Sequence, residues 1–336
     1  MEMKLSKLGE DGLINRIISR HLRKDKKSNS VLIDAGDDAA VINRIAGNIV
    51  ITTDLLIENV HFKVSWADKL GGLNNLFYNL GYKSAAVNIS DLSAMGTVTP
   101  LYCIIGLGIP SKYSVSNIDN LYSGLQNAFN RCGIRIIGGD TNSSEKLVIS
   151  ITLLGKCADK YGMIPRSGAK PGNKIYVSGR LGNSAAGLHV LMNNPGIAKL
   201  SNVDKKWFIN KHFHPPIRLT EAKKIARHST AMIDCSDGLI KSIRIICEQS
   251  HCAAKVYLDK VPVSDKLKKL PGYIRYIVNS GEDYELIFTS SSQKLDKIIP
   301  GIKYIGEITT GAKNDIKYYL KDRLYKIPQA GYEHFK

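Results

Sequence analysis

Hydrophobic and polar residues recur along the chain with two different periods. In residues 82–95 and 115–131 apolar positions return every three or four residues, which predicts helices. Residues 147–154 and 174–178 are short apolar runs bounded by turn-forming residues, which predicts strands. Both patterns occur in each half of the chain, so the sequence predicts a mixed α/β (α+β) fold.

The order of the remaining elements narrows the fold class. Further helices are predicted at 12–22, from about 184 onward, and at 205–212, 217–226, 239–250 and 293–298. Further strands are predicted at 39–42, 49–54, 101–107, 134–137, 231–233, 254–258, 284–289, 304–308 and 316–320. Residues 64–80 are predicted to be a loop with helical pieces. Because helices and strands do not alternate strictly, a doubly wound Rossmann sheet is not favoured.

Chain length predicts two domains. A chain of 336 residues is too long for one core of ordinary size. Residues 167–172 (SGAKPG) have the composition of a turn and are the best linker candidate. We therefore expect an N-terminal domain over residues 1–158 and a C-terminal α/β domain over residues 159–336.

The charge balance is strongly basic, with 47 Lys and Arg against 30 Asp and Glu and a formal net charge of +17. A nucleic-acid surface is one explanation. Lysines scattered over solvated faces, or steering of an anionic substrate, are the alternatives. The basic runs at 24–27 and 266–269 are short and carry no interleaved aromatic residues, so nucleic acid is not expected as a partner.

Cysteine spacing and the N-terminal sequence favour a cytoplasmic protein. The six cysteines form no CxxC pair and no zinc-type cluster with histidine, which is typical of reduced, mostly buried thiols. No apolar run approaches the roughly 18 residues of a membrane helix. Residues 1–13 contain no basic stretch followed by a long apolar region, so we expect neither secretion nor a membrane partner.

The acidic residues collect in short motifs, most of them next to glycine. These motifs are GDDA (36–39), TTD (52–54), NISD (88–91), GGDT (138–141), DCSDG (234–238) and GEDYE (281–285). Asp54, Asp140 and Asp234 each follow an apolar run, so we expect them at the C-terminal ends of strands, where α/β folds bind ligands. Any one motif is also typical of a turn or a helix cap.

A cluster of these acids would require cations. Two carboxylates ~4 Å apart repel by about 4 kcal/mol at an effective dielectric constant of about 20. Ligand sets made only of oxygen suit Mg²⁺ better than zinc.

Phosphate-binding motifs are few. The pattern GxxxxGK[ST] does not occur, so a P-loop is excluded. Residues 179–187 follow a predicted strand and open a helix, which either presents N–H groups to an anion or allows tight strand–helix packing. Arg166, next to the candidate linker, is either a phosphate ligand or an ordinary surface residue.

In this order and spacing the motifs resemble those of thiamine-monophosphate kinases. The resemblance runs from residue 36 to residue 335 and adds, among others, HF (61–62), RSGAKPG (166–172), GNSAAGL (182–188) and GYEHF (331–335). Aminoimidazole ribonucleotide synthetases, selenophosphate synthetases and a hydrogenase-maturation protein belong to the same superfamily and share the acidic motifs and ATP use. The last two differ from this chain, which has no catalytic cysteine near the N-terminus and no C-terminal cysteine motif.

The resemblance implies a site shared by both domains. It implies that the N-terminal domain binds ATP and several Mg²⁺ ions and pairs its sheet with that of a second subunit in a homodimer. Its implied metal ligands are Asp38, Thr52, Thr53, Asp54, Asp91, Asp140, Asp234 and Asp237. Its implied ATP contacts are Gly139, Asp140, Arg166 and Ser236. Its implied thiamine monophosphate contacts are His61, Glu282 and Tyr332.

Three points bear on the acceptor site. A thiazolium cation favours an aromatic face and a nearby carboxylate, which Tyr332 and Glu282 would supply. Taken alone, His61 is typical of a histidine packed beside Phe62. Residues 63–81 look about nine residues longer than usual in the family, and they carry Trp66, Phe77 and Tyr78 beside the presumed acceptor site.

The expected activity is ATP-dependent phosphorylation of thiamine monophosphate to thiamine diphosphate. The sequence offers carboxylates for metals but no Ser/His/Asp or Cys/His motif, so we expect direct in-line transfer without a protein nucleophile or base. An ATP-dependent synthetase of the same superfamily is the first alternative. A basic nucleic-acid-binding protein, which would show a steep salt dependence and no nucleotide turnover, is the second.

Overall fold

The structure, a computed structural model, describes residues 3–22, 30–33, 39–157, 162–278 and 281–327. The helices are α1 (Leu5–His21), α2 (Ala67–Leu70), α3 (Leu73–Ala94), α4 (Val115–Cys132), α5 (Asn183–Leu191), α6 (Asn202–Phe213), α7 (Leu219–Ile225), α8 (Leu239–Ser250), α9 (Asp265–Lys268), α10 (Ile274–Val278) and α11 (Leu295–Ile298). The strands are β1 (Val31–Ile33), β2 (Val41–Ile42), β3 (Asn48–Ile57), β4 (Thr99–Ile109), β5 (Arg135–Ser143), β6 (Val148–Cys157), β7 (Lys174–Val177), β8 (Ala231–Asp234), β9 (Ala253–Tyr257), β10 (Leu286–Ser290), β11 (Lys303–Thr309), β12 (Ile316–Leu320) and β13 (Arg323–Leu324). The predicted α/β class is confirmed.

The chain forms two compact units. The first comprises Met1–Leu92 and Thr99–Ala158, and the second comprises Ser93–Val98 and Asp159–Lys336. Residues 93–98 belong to the second unit because their backbone pairs there. Thr97 N–H donates to the carbonyl of Gly162 at 2.8 Å, and Ile164 N–H donates to that of Met95 at 3.1 Å.

The first unit is built on a four-stranded sheet in the order β3-β6-β4-β5. Strand β6 pairs antiparallel with both β3 and β4, while β4 and β5 run parallel. Side chains alternate between the two faces of a strand. In β6 they alternate so that Ile149, Ile151 and Leu153 are fully buried, whereas the opposite face of the sheet leaves Ile51 and Ile104 exposed. In the part of the first unit that the structure describes, one face of this sheet is thus buried, and the other face leaves apolar side chains exposed.

Helices α3 and α4 cross at a pair of glycines. A Cβ on Gly81 would collide with the backbone carbonyl of Leu121, and a Cβ on Gly124 would collide with that of Tyr78. The two backbones are thus in direct contact, which only glycine permits. This contact also explains why α3 begins at Leu73, earlier than predicted, because Gly81 lies inside the helix instead of ending a loop.

The second unit is built on a seven-stranded sheet in the order β13-β12-β9-β11-β7-β10-β8. Neighbours pair antiparallel except β12 and β9, which run parallel. Helices α7 and α11 contribute to a core over β7, β8 and β10 that includes Tyr176, Ile225, Leu286 and Phe288, all fully buried. The mainly antiparallel order confirms that the fold is not a doubly wound sheet.

Two further expectations concern the cysteines and the lack of a membrane helix. All six cysteines are unpaired, and all but Cys132 are buried, as predicted. Within the described part of the chain, no helix has the length and apolar character needed to cross a membrane.

Candidate active site

Thr52, Asp54 and Asp91 come together on the helix-facing side of the first unit's sheet. The hydroxyl of Thr52 donates to Asp91 Oδ2 at 2.5 Å, which ties β3 to helix α3. The amide side chain of Asn88, one turn earlier on α3, accepts from the backbone N–H of Asp54 at 3.2 Å. Thr52 and Asp54 lie two residues apart on one strand and therefore point to the same face. Asp91 and Asp54 thus border one polar region of oxygen atoms.

Asp140 and Thr53 lie on the other face of this sheet. In the strand register Thr53 is opposite Thr152, and Thr152 is opposite Ile104. Gly106 lies two residues after Ile104, on the same face of β4, and it is opposite Asp140. The hydroxyl of Thr152 donates to that of Thr53 at 3.2 Å. Strands β6 and β4 separate β3 from β5, which corresponds to about 14 Å across three strand spacings. The first unit therefore does not bring Asp54 and Asp140 together.

The expectation that Asp54 and Asp140 end their strands is wrong. Asp54 pairs with Ile151 within the ten-residue strand β3, and Asp140 lies within the nine-residue strand β5. Pairing continues beyond both residues because β6 and β4 are equally long. Only Asp234, the last residue of β8, stands at a strand end as expected.

The carboxylate of Asp140 is fixed by its own strand. Its Oδ1 accepts from the backbone N–H of Thr141 at 2.9 Å, and its Oδ2 accepts from the side-chain amide of Asn142 at 2.6 Å. Gly139 precedes it because a Cβ there would collide with the backbone of Ile105 in β4. Asp140 is exposed and lines a cavity of 1150 Å³.

Both polar and apolar residues line this cavity. Its polar lining includes Asp140, Thr141, Ser150 and Thr152, with the backbone of Gly138 and Gly139. Its apolar lining comes from α1, β2 and β6, with Ile14, Ile17, Ile18, Leu22, Ile42 and Leu154.

His61 supports a tight turn after β3. Its Nδ1 accepts from the backbone N–H of Ile57 at 3.1 Å, so the ring proton of the neutral form resides on Nε2. Asn59 takes the left-handed conformation with φ of 66°, and Phe62 is buried. His61 is therefore tied to the end of β3 through Nδ1, and the ring proton of its neutral form is on Nε2.

The longer segment 63–81 contributes mostly to the core of the first unit. Trp66 and Phe77 are buried, and the ring of Phe77 meets that of Tyr113 edge-on at 4.9 Å. The hydroxyl of Tyr78 accepts from the side-chain amide of Asn127 on α4 at 2.8 Å. The aromatic residues of this segment thus pack α3 against its neighbours.

In the second unit, Asp234, Ser236, Asp237 and Glu282 lie together. The hydroxyl of Ser236 points to Asp234 Oδ1 at 3.4 Å, and the carbonyl of Ser236 accepts from the backbone N–H of Glu282 at 2.5 Å. Asp237 forms an ion pair of 2.6 Å with Lys241, one turn along α8. Asp234 is buried, whereas Ser236, Asp237 and Glu282 are partly exposed.

The acids of the GEDYE motif point in different directions. Glu282 and Tyr284 both adopt positive φ, 60° and 50°, which turns successive side chains apart. Asp283 accepts from the N–H groups of Gly182 and Ser184 at 2.6 and 3.1 Å. Glu285 accepts two hydrogen bonds from Arg218, both at 2.7 Å. Asp283 and Glu285 therefore hold elements of the fold together, whereas Glu282 lies beside His212, with Oε2 3.4 Å from the imidazole Nδ1.

These contacts decide between the two interpretations of residues 179–187. The N–H groups that open α5 already bind the carboxylate of Asp283, and a Cβ on Gly187 would meet the backbone of Phe208. The glycines thus allow tight packing, and the anion at this helix end is a protein side chain.

Burial and the nearby Asp283, Asp234 and Glu285 raise the pKa of the Cys235 thiol well above its ordinary value.

The remaining predicted site residues are Arg166, Asp38 and Tyr332. Arg166 is exposed and follows Pro165, whose carbonyl accepts from Met232 N–H in β8 at 3.0 Å. Asp38 and Tyr332 lie outside the described residues. Among the residues that the structure does describe, no group of three or more His, Cys, Asp or Glu side chains is arranged to hold a metal ion.

Sequence reasoning missed Arg218 and His212. Arg218 neutralises Glu285, and buried His212 lies 3.4 Å from Glu282. The only sequence signal for Arg218 is that a buried acid in the GEDYE motif requires a cation from somewhere in the chain.

Comparison with known proteins agrees with this architecture. The model of the AIR synthase related protein N-terminal domain matches residues 36–157, and the model of the corresponding C-terminal domain matches residues 170–318. Both halves of the chain thus have the fold of AIR synthase related proteins. A thiamine-monophosphate kinase from Buchnera aphidicola subsp. Schizaphis graminum is 33% identical over 334 residues, which are 96% of this chain and 98% of the relative.

Solved structures lead to the same family. A thiamine-monophosphate kinase from Stenotrophomonas maltophilia K279a superposes with a TM-score of 0.77 at 29% identity, covering 93% of this chain and 96% of that one. AaThiL complexed with AMPPCP and TMP superposes with a TM-score of 0.74 at 29% identity, covering 99% of both chains. The chain belongs to the thiamine-monophosphate kinase family.

Proposed function

We propose that this protein transfers the γ-phosphoryl group of ATP to the phosphate of thiamine monophosphate, giving ADP and thiamine diphosphate. One observation carries the proposal: a structure that holds AMPPCP and TMP together matches 99% of this chain. The match includes both units, so it covers the residues expected on the nucleotide side and those expected on the acceptor side.

The nucleotide binds in the cavity above Asp140. Gly139 and Asp140 stand at its polar side, and the apolar lining from α1 and β2 receives the base. Arg166 and Ser236 are the further proposed contacts of ATP. Arg166 suits this role because its guanidinium is exposed and forms no ion pair with another side chain in the part of the chain that the structure describes.

The oxygen-rich region of the first unit fits Mg²⁺. Thr52, Asp54 and Asp91 offer carboxylate and hydroxyl oxygens, the donors that Mg²⁺ prefers. Asp38, Thr53, Asp140, Asp234 and Asp237 would complete the ligand sets for several ions. When bound, Mg²⁺ would offset the negative charge of the phosphate groups.

The acceptor is recognised through both of its ends. Glu282 and Tyr332 bind the thiazolium cation by charge and by the aromatic face. His61, whose Nδ1 accepts from Ile57 N–H, is the third proposed contact of thiamine monophosphate. Residues 63–81 influence this site through the position of α3, since their aromatic side chains are packed inside the first unit.

Transfer is direct and in line. The acceptor phosphate is already an anion at neutral pH, so no protein base has to remove a proton. The obstacle is repulsion between two polyanions, and positively charged Arg166 together with fixed binding geometry reduces it.

The active form is a homodimer in which residues 1–158 form the interface and residues 159–336 complete the acceptor site. The sheet face with Ile49, Ile51, Leu55 and Ile104 supports this arrangement, since these side chains are 42–62% exposed. Exposed apolar side chains grouped on one face of a sheet are typical of interfaces.

The deciding experiment incubates purified protein with MgATP and thiamine monophosphate and separates the products by chromatography. Thiamine diphosphate formed in step with ADP supports the proposal. ATP hydrolysis or nucleotide binding without thiamine diphosphate would overturn it and favour a synthetase of the same superfamily.

A further inference from the structure

His212 is a fully buried histidine near the end of α6. Helix α6 crosses α5 at Gly187, where a Cβ would lie 2.9 Å from that of His212. The close crossing brings the imidazole to the first turn of α5, where its Nδ1 lies 3.1 Å from Ser184 Oγ. The aromatic ring of Phe213 meets the imidazole nearly edge-on at 5.3 Å. The polar ring is therefore held between two helices and away from water.

The same nitrogen of His212 faces Glu282. Nδ1 lies 3.4 Å from Oε2 of that carboxylate. The hydroxyl of Ser184 can accept from this nitrogen or donate to it, whereas the carboxylate of Glu282 can only accept. The form of the ring with Nδ1–H is therefore the one that both contacts allow, since a lone pair on Nδ1 would repel the carboxylate oxygen.

Glu282 requires support of this kind. Its backbone is turned by a φ of 60° and is anchored through its N–H to Ser236, but its long side chain is only 26% exposed and has several rotamers to choose from. The adjacent acids do not share its surroundings, since Asp283 caps α5 and Glu285 binds Arg218. His212 is thus a buried neighbour of the acid that the proposed function assigns to the acceptor.

We infer that His212 is a positioning residue that fixes the Glu282 carboxylate in the orientation in which it receives the cationic ring of the acceptor. The inference rests on the proposed function, because it assigns Glu282 to thiamine monophosphate. It adds that selectivity for a cationic acceptor depends on a residue that does not touch the acceptor.

The test compares steady-state kinetics of His212→Leu, His212→Asn and His212→Gln. Asn places an N–H near the position of Nδ1, whereas Gln places it near Nε2, and Leu has none. We expect His212→Leu and His212→Gln to raise KM for thiamine monophosphate by about tenfold, the effect of losing a hydrogen bond to a charged group. KM for ATP should change by less than about twofold, and His212→Asn should restore most of the affinity.

Two controls separate positioning from general loosening of the helices. His189→Asn alters a half-buried histidine on α5 whose ring packs against Tyr276, and it should leave both KM values unchanged. In a Glu282→Gln background, His212→Leu should raise KM for thiamine monophosphate by less than about twofold more, because His212 acts on the acceptor only through the Glu282 carboxylate.

The outcomes are separable. If the wild-type protein forms no thiamine diphosphate, the proposed function fails and the inference with it. If the wild type is active but His212→Asn and His212→Gln have the same KM for thiamine monophosphate, only the inference fails. A full additional effect of His212→Leu in the Glu282→Gln background, or equal effects on both substrates, also overturns it. The Asn and Gln pair decides the matter even if His212→Leu does not fold.

Discussion

Arg218 and Glu285 form a bidentate ion pair that joins the start of α7 to the beginning of β10. Nε and Nη2 of the arginine each donate to one carboxylate oxygen at 2.7 Å. The hydroxyl of Ser178 donates to the same carboxylate at 2.6 Å. Burial lowers the pKa of Arg218, but the hydrogen bond and charge of Glu285 outweigh it, so the pKa lies above its ordinary value. Glu285 is therefore a fully satisfied structural acid.

Arg218→Met should destabilise the second unit by about 3–5 kcal/mol, because it leaves the nearly buried Glu285 without its cation. Urea unfolding followed by circular dichroism measures the change. Lys268→Met is the matched control, since the pair Lys268–Asp265 is exposed, and it should change stability by less than about 1 kcal/mol. A loss as small for Arg218→Met as for the control would contradict the structural role.

Two predictions concern the first unit. Gly81→Ala and Gly124→Ala should each cost about 1–3 kcal/mol, because the added methyl group pushes α3 away from α4. Gly12→Ala is the control: its Cβ would meet only the flexible side chain of Leu8, so the helix-forming preference of alanine should make it neutral or stabilising by up to about 1 kcal/mol. Thermal unfolding of the three variants distinguishes the cases, and equal shifts in Tm would show that no close crossing exists.

The second of these predictions concerns Asp119 on α4, which accepts hydrogen bonds from Arg16 at 3.0 and 2.5 Å and from Arg20 at 3.0 Å, with His21 Nε2 at 3.3 Å. Burial raises the pKa of Asp119. The hydrogen bonds from Arg16 and His21 and the charges of the two arginines lower this pKa by more, so it lies below its ordinary value. A lowered pKa in the folded state stabilises the protein above the ordinary value of about 3.9 and ceases to do so as the pH falls through the folded-state pKa.

The Tm difference between wild type and Asp119→Asn should accordingly be constant between about pH 5 and 7 and shrink below about pH 4. Differential scanning calorimetry across this range measures it. A difference that persists at the lowest pH would mean that Asp119 contributes by packing and not by charge.

Local patterns were sufficient to predict most elements. Helix α8 and strand β12 have the predicted bounds, because a regular apolar period and clear turn residues mark both. The predicted start of α3 is too late, because the sequence does not reveal that Gly81 lies inside the helix and contacts Leu121. The predicted strands at β3 and β5 are too short, because pairing with long neighbouring strands extends both. Such pairing is a tertiary effect that the local sequence does not show.

The site was predictable to the level of motifs but not of individual side chains. Asp283 and Glu282 are adjacent acids of one motif. Asp283 caps a helix and Glu282 is a ligand candidate, and the positive φ at Glu282 turns their side chains apart. Thr52 and Asp91 were assigned to one metal shell, and their contact of 2.5 Å brings them together. The faces of β3 and β5, which place Asp54 and Asp140 apart in one chain, follow from the register and not from the motifs.

Asp54→Asn and Asp91→Asn should each reduce turnover by at least about 10²-fold without loss of fold, because a neutral amide holds Mg²⁺ poorly against the phosphate charge. Asp68→Asn, which alters an exposed acid on α2, is the control and should retain full turnover. Initial rates are measured over a range of Mg²⁺ concentrations. Near-normal activity of either variant at moderate Mg²⁺ would remove that residue from the ligand set.

The last prediction concerns the chemical step, which should proceed without a phosphorylated protein intermediate. After incubation with γ-labelled ATP and no acceptor, denatured protein should carry no label. Label that survives denaturation would refute direct transfer. Unphosphorylated thiamine should be a very poor acceptor, because its hydroxyl requires a base to remove a proton.

The pH profile tests the same claim independently. If transfer is direct, the nucleophile is the phosphate of the acceptor, whose second pKa is about 6, so the acidic limb of kcat/KM should fall near that pH. A protein base would instead impose its own pKa, and substituting that base would move the limb. Glu282→Gln and His61→Gln should therefore lower the affinity for thiamine monophosphate and leave the position of the acidic limb unchanged. A limb that moves by one pH unit or more in either variant would identify that side chain as the base, because the phosphate's own ionisation is the same in every variant.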